Sequence, residues 1–179
     1  YPGMNSLYLD FNPDNDQPEQ FHFNNFIFRN FYVRVDKTNP LLDVTFDNIH
    51  ILNNDIVSAK PHIQIKLKDE SKFLLLTDTA SVGIQVIGPL PNNTVRTYRF
   101  NTDTLRFTPA ASGANNTATI DFSPDLSGQQ GDNGDAYYRL IVNGRDASGN
   151  KAGATQYSIN FRVISKPMIS NLLNYPNPF

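Results

Sequence analysis

The chain contains no cysteine and no tryptophan. Without cysteine there is no thiol nucleophile, no disulfide and no thiolate metal site, so stability has to come from packing alone. Without tryptophan one of the two amphipathic rings best suited to stacking on a half-wet sugar surface is missing. Excess charge is missing too: 15 Lys and Arg stand against 17 Asp and Glu, a net charge of -2. That balance excludes the clustered positive charge on which nucleic-acid binding rests. No run approaches the roughly 18 apolar residues of a membrane helix, so no membrane span is expected. No basic and apolar leader opens the chain, which places any signal peptide upstream.

What is present is alternation. Leu42, Val44 and Phe46 alternate with Asp43, Thr45 and Asp47, and Ile63, Ile65 and Leu67 with Gln64, Lys66 and Lys68. Phe31, Val33 and Val35 do the same with Tyr32 and Arg34. Further on, Ile84 and Val86, Tyr98 and Phe100, Leu105 and Phe107, then Ala118, Ile120 and Phe122 repeat the pattern between turn-forming clusters. Successive side chains of a strand point to opposite faces, so this period of two marks strands with one buried face. Tyr138, Leu140 and Val142 lead through Asp146-Ala147-Ser148-Gly149-Asn150 into Tyr157, Ile159, Phe161 and Val163, which reads as a hairpin. The one helix-like stretch, Leu75 to Ser81, is too short to stand alone. The expected fold is all-β: an immunoglobulin- or fibronectin III-like antiparallel sandwich with an N-terminal β-hairpin.

At 179 residues the chain suits one full domain plus a part of another. Residues 1–36 form the N-terminal hairpin, either the edge of the sandwich or the end of a preceding module. Residues 37–166 form the sandwich, and 167–179 a linker. In the hairpin Phe21, Phe23, Phe26, Phe28, Phe31 and Tyr32 fall on both parities. A second apolar face that docks a neighbouring domain of the same polypeptide is the expected reason.

The linker ends in Tyr175-Pro176-Asn177-Pro178-Phe179. Its two prolines lack an N–H and push the preceding residues into extended geometry, so they mark a boundary. This segment resembles the opening of the C-terminal sorting domain carried by cargo of the bacterial type IX secretion system. Asn12 to Gln20, Phe23-Asn24-Asn25, Asn39 to Asp47 and His50 to Ser58 together resemble the region preceding that sorting domain. Many proteins of this kind are gingipain-like family C25 cysteine peptidases. The resemblance implies a secreted or cell-surface location. It also implies that catalytic Cys and His belong to a separate domain, and no catalytic residue carries over to this cysteine-free chain. The first 25 residues also resemble the end of a CARDB-type adhesion module. Asn48 and Asn54 stand where the family pattern has turn glycines, and Asn is the next best residue for a left-handed turn.

Candidate sites are sparse. His22, His50 and His62 lack the paired spacing of a metal motif and read as surface or edge residues. Asp125, Asp132 and Asp135, and separately Asp14 and Asp16, supply the oxygen ligands Ca²⁺ prefers, but their spacing departs from the EF-hand loop and suits turns equally well. No cofactor is expected beyond this calcium option. No nucleophile elbow is present, so the expectation is a non-catalytic chain. Asp78-Thr79-Ala80 and Asp103-Thr104-Leu105 resemble a short O-glycan acceptor of these bacteria, and read more simply as turn or strand-end residues.

Three functions remain open. One is a structural immunoglobulin-like spacer in a large secreted or surface protein of the type IX pathway. Another is a module that binds a cell-surface glycan or protein through the end loops Gly88 to Thr94 or Ser123 to Asp135. An accessory part of a C25 peptidase is a third.

Overall fold

The computed structural model describes residues 2–127 and 135–164. The linker at 167–179, its prolines and the candidate Asp132 lie outside the described residues. The chain divides into two compact units, Tyr1–Lys37 and Thr38–Phe179.

The first unit is a two-stranded antiparallel ribbon of β1 (Gly3–Asp10) and β2 (Phe26–Val33). The connection between them is folded by polar side chains. Asn12 and Asn15 take left-handed φ values of 58° and 55°. Glu19 Oε1 accepts from Asn12 Nδ2 at 2.6 Å and Asn25 Nδ2 at 2.8 Å. These two bonds hold the Glu19 carboxyl below its ordinary pKa. Leu7, Leu9, Ile27, Phe31 and Val33 share one face of the ribbon, while Met4, Tyr8, Phe26, Phe28 and Tyr32 share the other. All ten are exposed. The expected buried stripe Phe31, Val33 and Val35 is therefore corrected: β2 stops at Val33 and all three side chains are exposed. Apolar residues on both faces of a two-stranded ribbon leave the alternation with no buried side to report.

The second unit is a sandwich of two sheets. One has the order β3-β5-β9-β8, formed by β3 (Leu41–Phe46), β5 (Ile63–Lys68), β9 (Thr117–Phe122) and β8 (Leu105–Thr108). The other has the order β4-β11-β10-β6-β7, formed by β4 (Asp55–Val57), β11 (Tyr157–Ile164), β10 (Asp135–Gly144), β6 (Val82–Ile87) and β7 (Val95–Thr97). With the short β4 and β7 set aside, the strands read first-second-fifth-fourth in one sheet and seventh-sixth-third in the other. That is the immunoglobulin arrangement. β4 adds in parallel to the last strand, Val57 opposite Val163. The other pairings are antiparallel.

The alternation in the sequence is the core seen edge on. Val44, Ile65, Ile120, Leu140 and Phe161 are buried between the sheets, together with Leu67, Val86, Phe122, Tyr138 and Val163. Full burial of such a side chain contributes about 1.5–3 kcal/mol over leaving it in water. At the centre Phe161 stacks on Tyr138 at 5.7 Å between centroids and meets Phe46 at 5.4 Å. The left-handed turns at Asn48 and Asn54 have φ of 66° and 71°.

Two expected elements differ. Tyr98 and Phe100 are not a strand: β7 ends at Thr97, and the chain then crosses to the other sheet at β8. Their rings close the open side of the sandwich during that crossing, Tyr98 edge-on to Phe122 at 4.7 Å and Phe100 to Phe107 at 6.0 Å. The helix-like stretch shrinks to one 3₁₀ turn, η1 (Thr79–Ser81), capped by Asp78, whose Oδ1 accepts from Ala80 N–H at 2.9 Å.

Candidate functional site

The strand directions give the sandwich two distinct ends. At one, β5 runs out into residues 69–81, β8 turns into β9 through 109–116, and β10 turns into β11 through 145–156. The loop Gly88 to Thr94 and the segment Ser123 to Ser127 lie at the other end. It is the first end that gathers buried polar groups.

Asn116 organises it. The residue is 1% exposed, and its side chain makes four hydrogen bonds. Nδ2 donates to the carbonyls of Ser71 and Leu74, each at 2.9 Å, and more weakly to Asp69 Oδ2 at 3.4 Å, while Oδ1 accepts from Leu76 N–H at 2.9 Å. The 69–76 segment is thereby tied to the start of β9. Gly113 completes the tie, because a Cβ there would overlap the carbonyl of Lys72. On this fixed support Phe73 is 93% exposed. Asp69 and Asp146 are both buried, and carboxylate oxygens of the two lie within 4.8 Å. Asp146 accepts from the N–H and Nδ2 of Asn150 at 2.8 and 2.7 Å, closing the five-residue turn of the hairpin.

Beside that turn lies a cleft of about 720 Å³ on the five-stranded sheet. Its walls come from η1 and the start of β6 (Ala80 to Gly83), from the end of β10 (Asn143 to Arg145) and from the returning arm (Lys151 to Gln156). Arg145 and Lys151 face each other across an antiparallel bridge. Arg145 is fixed by its Nε, which donates to Ala80 O at 3.1 Å, and by its backbone N–H, which donates to Ser81 O at 2.9 Å. Glycines and alanines keep the cleft open, while Asn143, Thr155 and Gln156 supply amide and hydroxyl groups.

The residues singled out from sequence are placed elsewhere. Asp125 pairs with Lys60 Nζ at 2.9 Å and accepts from both the hydroxyl and the N–H of Ser127. The Ser127 hydroxyl, then Lys60, then the Ser127 amide hold its carboxyl down at about 2. Asp135, at the start of β10, pairs with Arg162 Nη1 at 3.4 Å. His50 Nε2 sits 2.7 Å from Asp43 Oδ1, and His62 Nε2 3.1 Å from Asp121 Oδ1. None of the three histidines, nor Asp14, Asp16, Asp125 or Asp135, joins a group of three metal-ligating side chains among the described residues. Thr79 and Thr104 are half-buried at opposite ends of the sandwich.

Sequence reasoning passed over the cleft. Its signal was two cations, Arg145 and Lys151, placed symmetrically around the turn Asp146 to Asn150 that was itself recognised. In an antiparallel hairpin such flanking residues are cross-strand neighbours.

No protein-family model matches the chain, and no curated protein matches it. Among solved structures it is similar to AggA, the major subunit of aggregative adherence fimbriae type I from Escherichia coli. The identity is 12% and the TM-score 0.26, over 71% of this chain and 95% of that one. A likeness that slight says nothing about function.

Proposed function

We propose that the sandwich is a structural spacer in a large secreted or cell-surface protein, transmitting position and tension between its neighbours while having no catalytic role itself. One observation carries this reading. The first sandwich strand begins at Leu41, at the end where Asp69 and Asp146 meet, and the last strand finishes at Ile164, at the opposite end. A module entered at one end and left at the other adds length to a polypeptide, and its strands lie along the line of pull. Pulling along the strands loads many ladder hydrogen bonds together, while peeling would load them singly. β11 is bonded on both sides, to β10 and β4, which anchors the exit.

The setting we propose is the type IX secretion pathway, supported by the sequence resemblance of Asn12 to Gln20, Asn39 to Asp47, His50 to Ser58 and Tyr175 to Phe179. In that setting any cysteine peptidase activity belongs to another domain of the parent protein, and the isolated chain reads blank in a peptidase assay.

Single-molecule stretching tests the reading. Because the chain has no cysteine, introduced cysteines give unique handles. Handles at Thr38 and the far end should resist a higher force than handles at Asn115 and Ala147, which share one end. Equal or lower resistance end to end would remove the argument, as would a parent protein whose secretion, stability and activity are unchanged when the module is deleted.

A further inference from the structure

We infer that the cleft between η1, the end of β10 and the arm Lys151 to Gln156 is a binding site for an acidic saccharide, its carboxylate held between Arg145 and Lys151. The argument begins with a cost. Arg145 and Lys151 are directly opposed across an antiparallel bridge, where like charges destabilise a strand pair. No carboxylate of the described residues forms an ion pair with either cation, although Lys60 and Arg162 each have one, in Asp125 and Asp135. Among the described residues, the lining of the cleft they border holds no acidic side chain. An anion seated between them relieves the repulsion and accepts charge-assisted hydrogen bonds from both. Arg145 is preorganised for this: Nε is committed to Ala80 O, which fixes the guanidinium plane and leaves its terminal amino groups as donors.

The rest of the lining selects the body of the ligand. Asn143, Thr155 and Gln156 offer both donors and acceptors, as ring hydroxyls require, and the small residues Gly83, Gly153 and Ala154 leave room for the C–H faces of a sugar. The volume of about 720 Å³ lies inside the range of about 300–1,000 Å³ usual for small-ligand sites. The inference is separate from the spacer role and places binding at the end opposite the loops Gly88 to Thr94.

Isothermal titration of the whole chain with an oligogalacturonate tests it, alongside uncharged maltotetraose, a sulfated oligosaccharide and poly-glutamate. We expect the oligogalacturonate to bind, more weakly as salt is raised, and maltotetraose to bind at least about tenfold less well. Lys151→Glu should weaken binding about tenfold or more by reversing one charge. Gly83→Val serves as a second variant, because a Cβ there meets only Asn143 Cβ at 3.9 Å and valine favours a strand. It should fold normally by thermal unfolding and circular dichroism, yet block the cleft. Preference for the sulfated sugar keeps the acidic-saccharide assignment and moves the anionic group from carboxylate to sulfate. Absence of binding, equal binding of maltotetraose, tighter binding of poly-glutamate, or unchanged affinity in folded Gly83→Val would each overturn it.

Discussion

The backbone N–H of Leu76 donates to Oδ1 of Asn116 at 2.9 Å, across 40 residues of sequence, and both residues are buried. This one bond joins the crossing between the two sheets to the first residue before β9. The side-chain Nδ2 of Asn116 donates in turn to Ser71 O and Leu74 O, so the side chain serves as the local backbone partner for a segment with no ladder of its own.

Replacing Asn116 with Leu should cost about 3 kcal/mol, because the bonded groups left behind are a buried N–H and two carbonyls. Asn116→Asp keeps the acceptor for Leu76 but turns donors into acceptors facing those carbonyls and Asp69, so it should be no milder. Urea unfolding of both variants checks this. A loss below about 1 kcal/mol for both would mean that water replaces the side chain without penalty.

Tyr138→Phe has the opposite expectation. Tyr138 is fully buried, its hydroxyl has no hydrogen-bond partner among the described residues, and burial pushes its pKa up. Removing an unsatisfied buried hydroxyl while keeping the ring should leave stability unchanged or raise it by about 1 kcal/mol. A clear loss in chemical denaturation would reveal a partner for that oxygen.

Phe161→Ala tests the centre of the sandwich. The ring touches Phe46 and Tyr138 and is fully buried, so the cavity should cost about 3–5 kcal/mol. A shift in the midpoint of thermal unfolding too small for that loss would place the core elsewhere.

Acid should act on Asp125 in a defined window. Its carboxyl is depressed from 3.8 to about 2 by the Ser127 hydroxyl, Lys60 and the Ser127 amide. A depressed carboxyl stabilises the fold above its unfolded pKa, and that contribution is lost as pH falls from about 4 to about 2. Asp125→Asn should therefore be less stable than the natural chain at neutral pH, with the gap closing across that window. Because the group is exposed, the gap should be small and shrink with salt. A gap independent of pH would separate the effect from this charge.

The strands of the second unit were legible in the sequence because a sheet with one buried face writes itself as alternation. Val44, Ile65, Ile120, Leu140 and Phe161 are each buried at the parity their segments show. The same rule failed at Phe31, Val33 and Val35, where both faces of the ribbon are apolar and parity carries no information. It failed again at Tyr98 and Phe100, whose spacing is that of a strand but whose rings fill a crossing between sheets. The hairpin turn from Asp146 to Asn150 was readable from its own residues, while the meaning of the flanking Arg145 and Lys151 required knowing that they face each other over a cleft.

Sequence by itself determined the all-β class and the inward faces of the sandwich strands, since both follow from the geometry of a residue and its neighbour two places away. The position of Asn116, the meeting of Asp69 with Asp146, and the opposition of entry and exit belong to the tertiary structure alone. Each depends on contacts between segments tens of residues apart, and no local preference encodes which distant partner a side chain will meet.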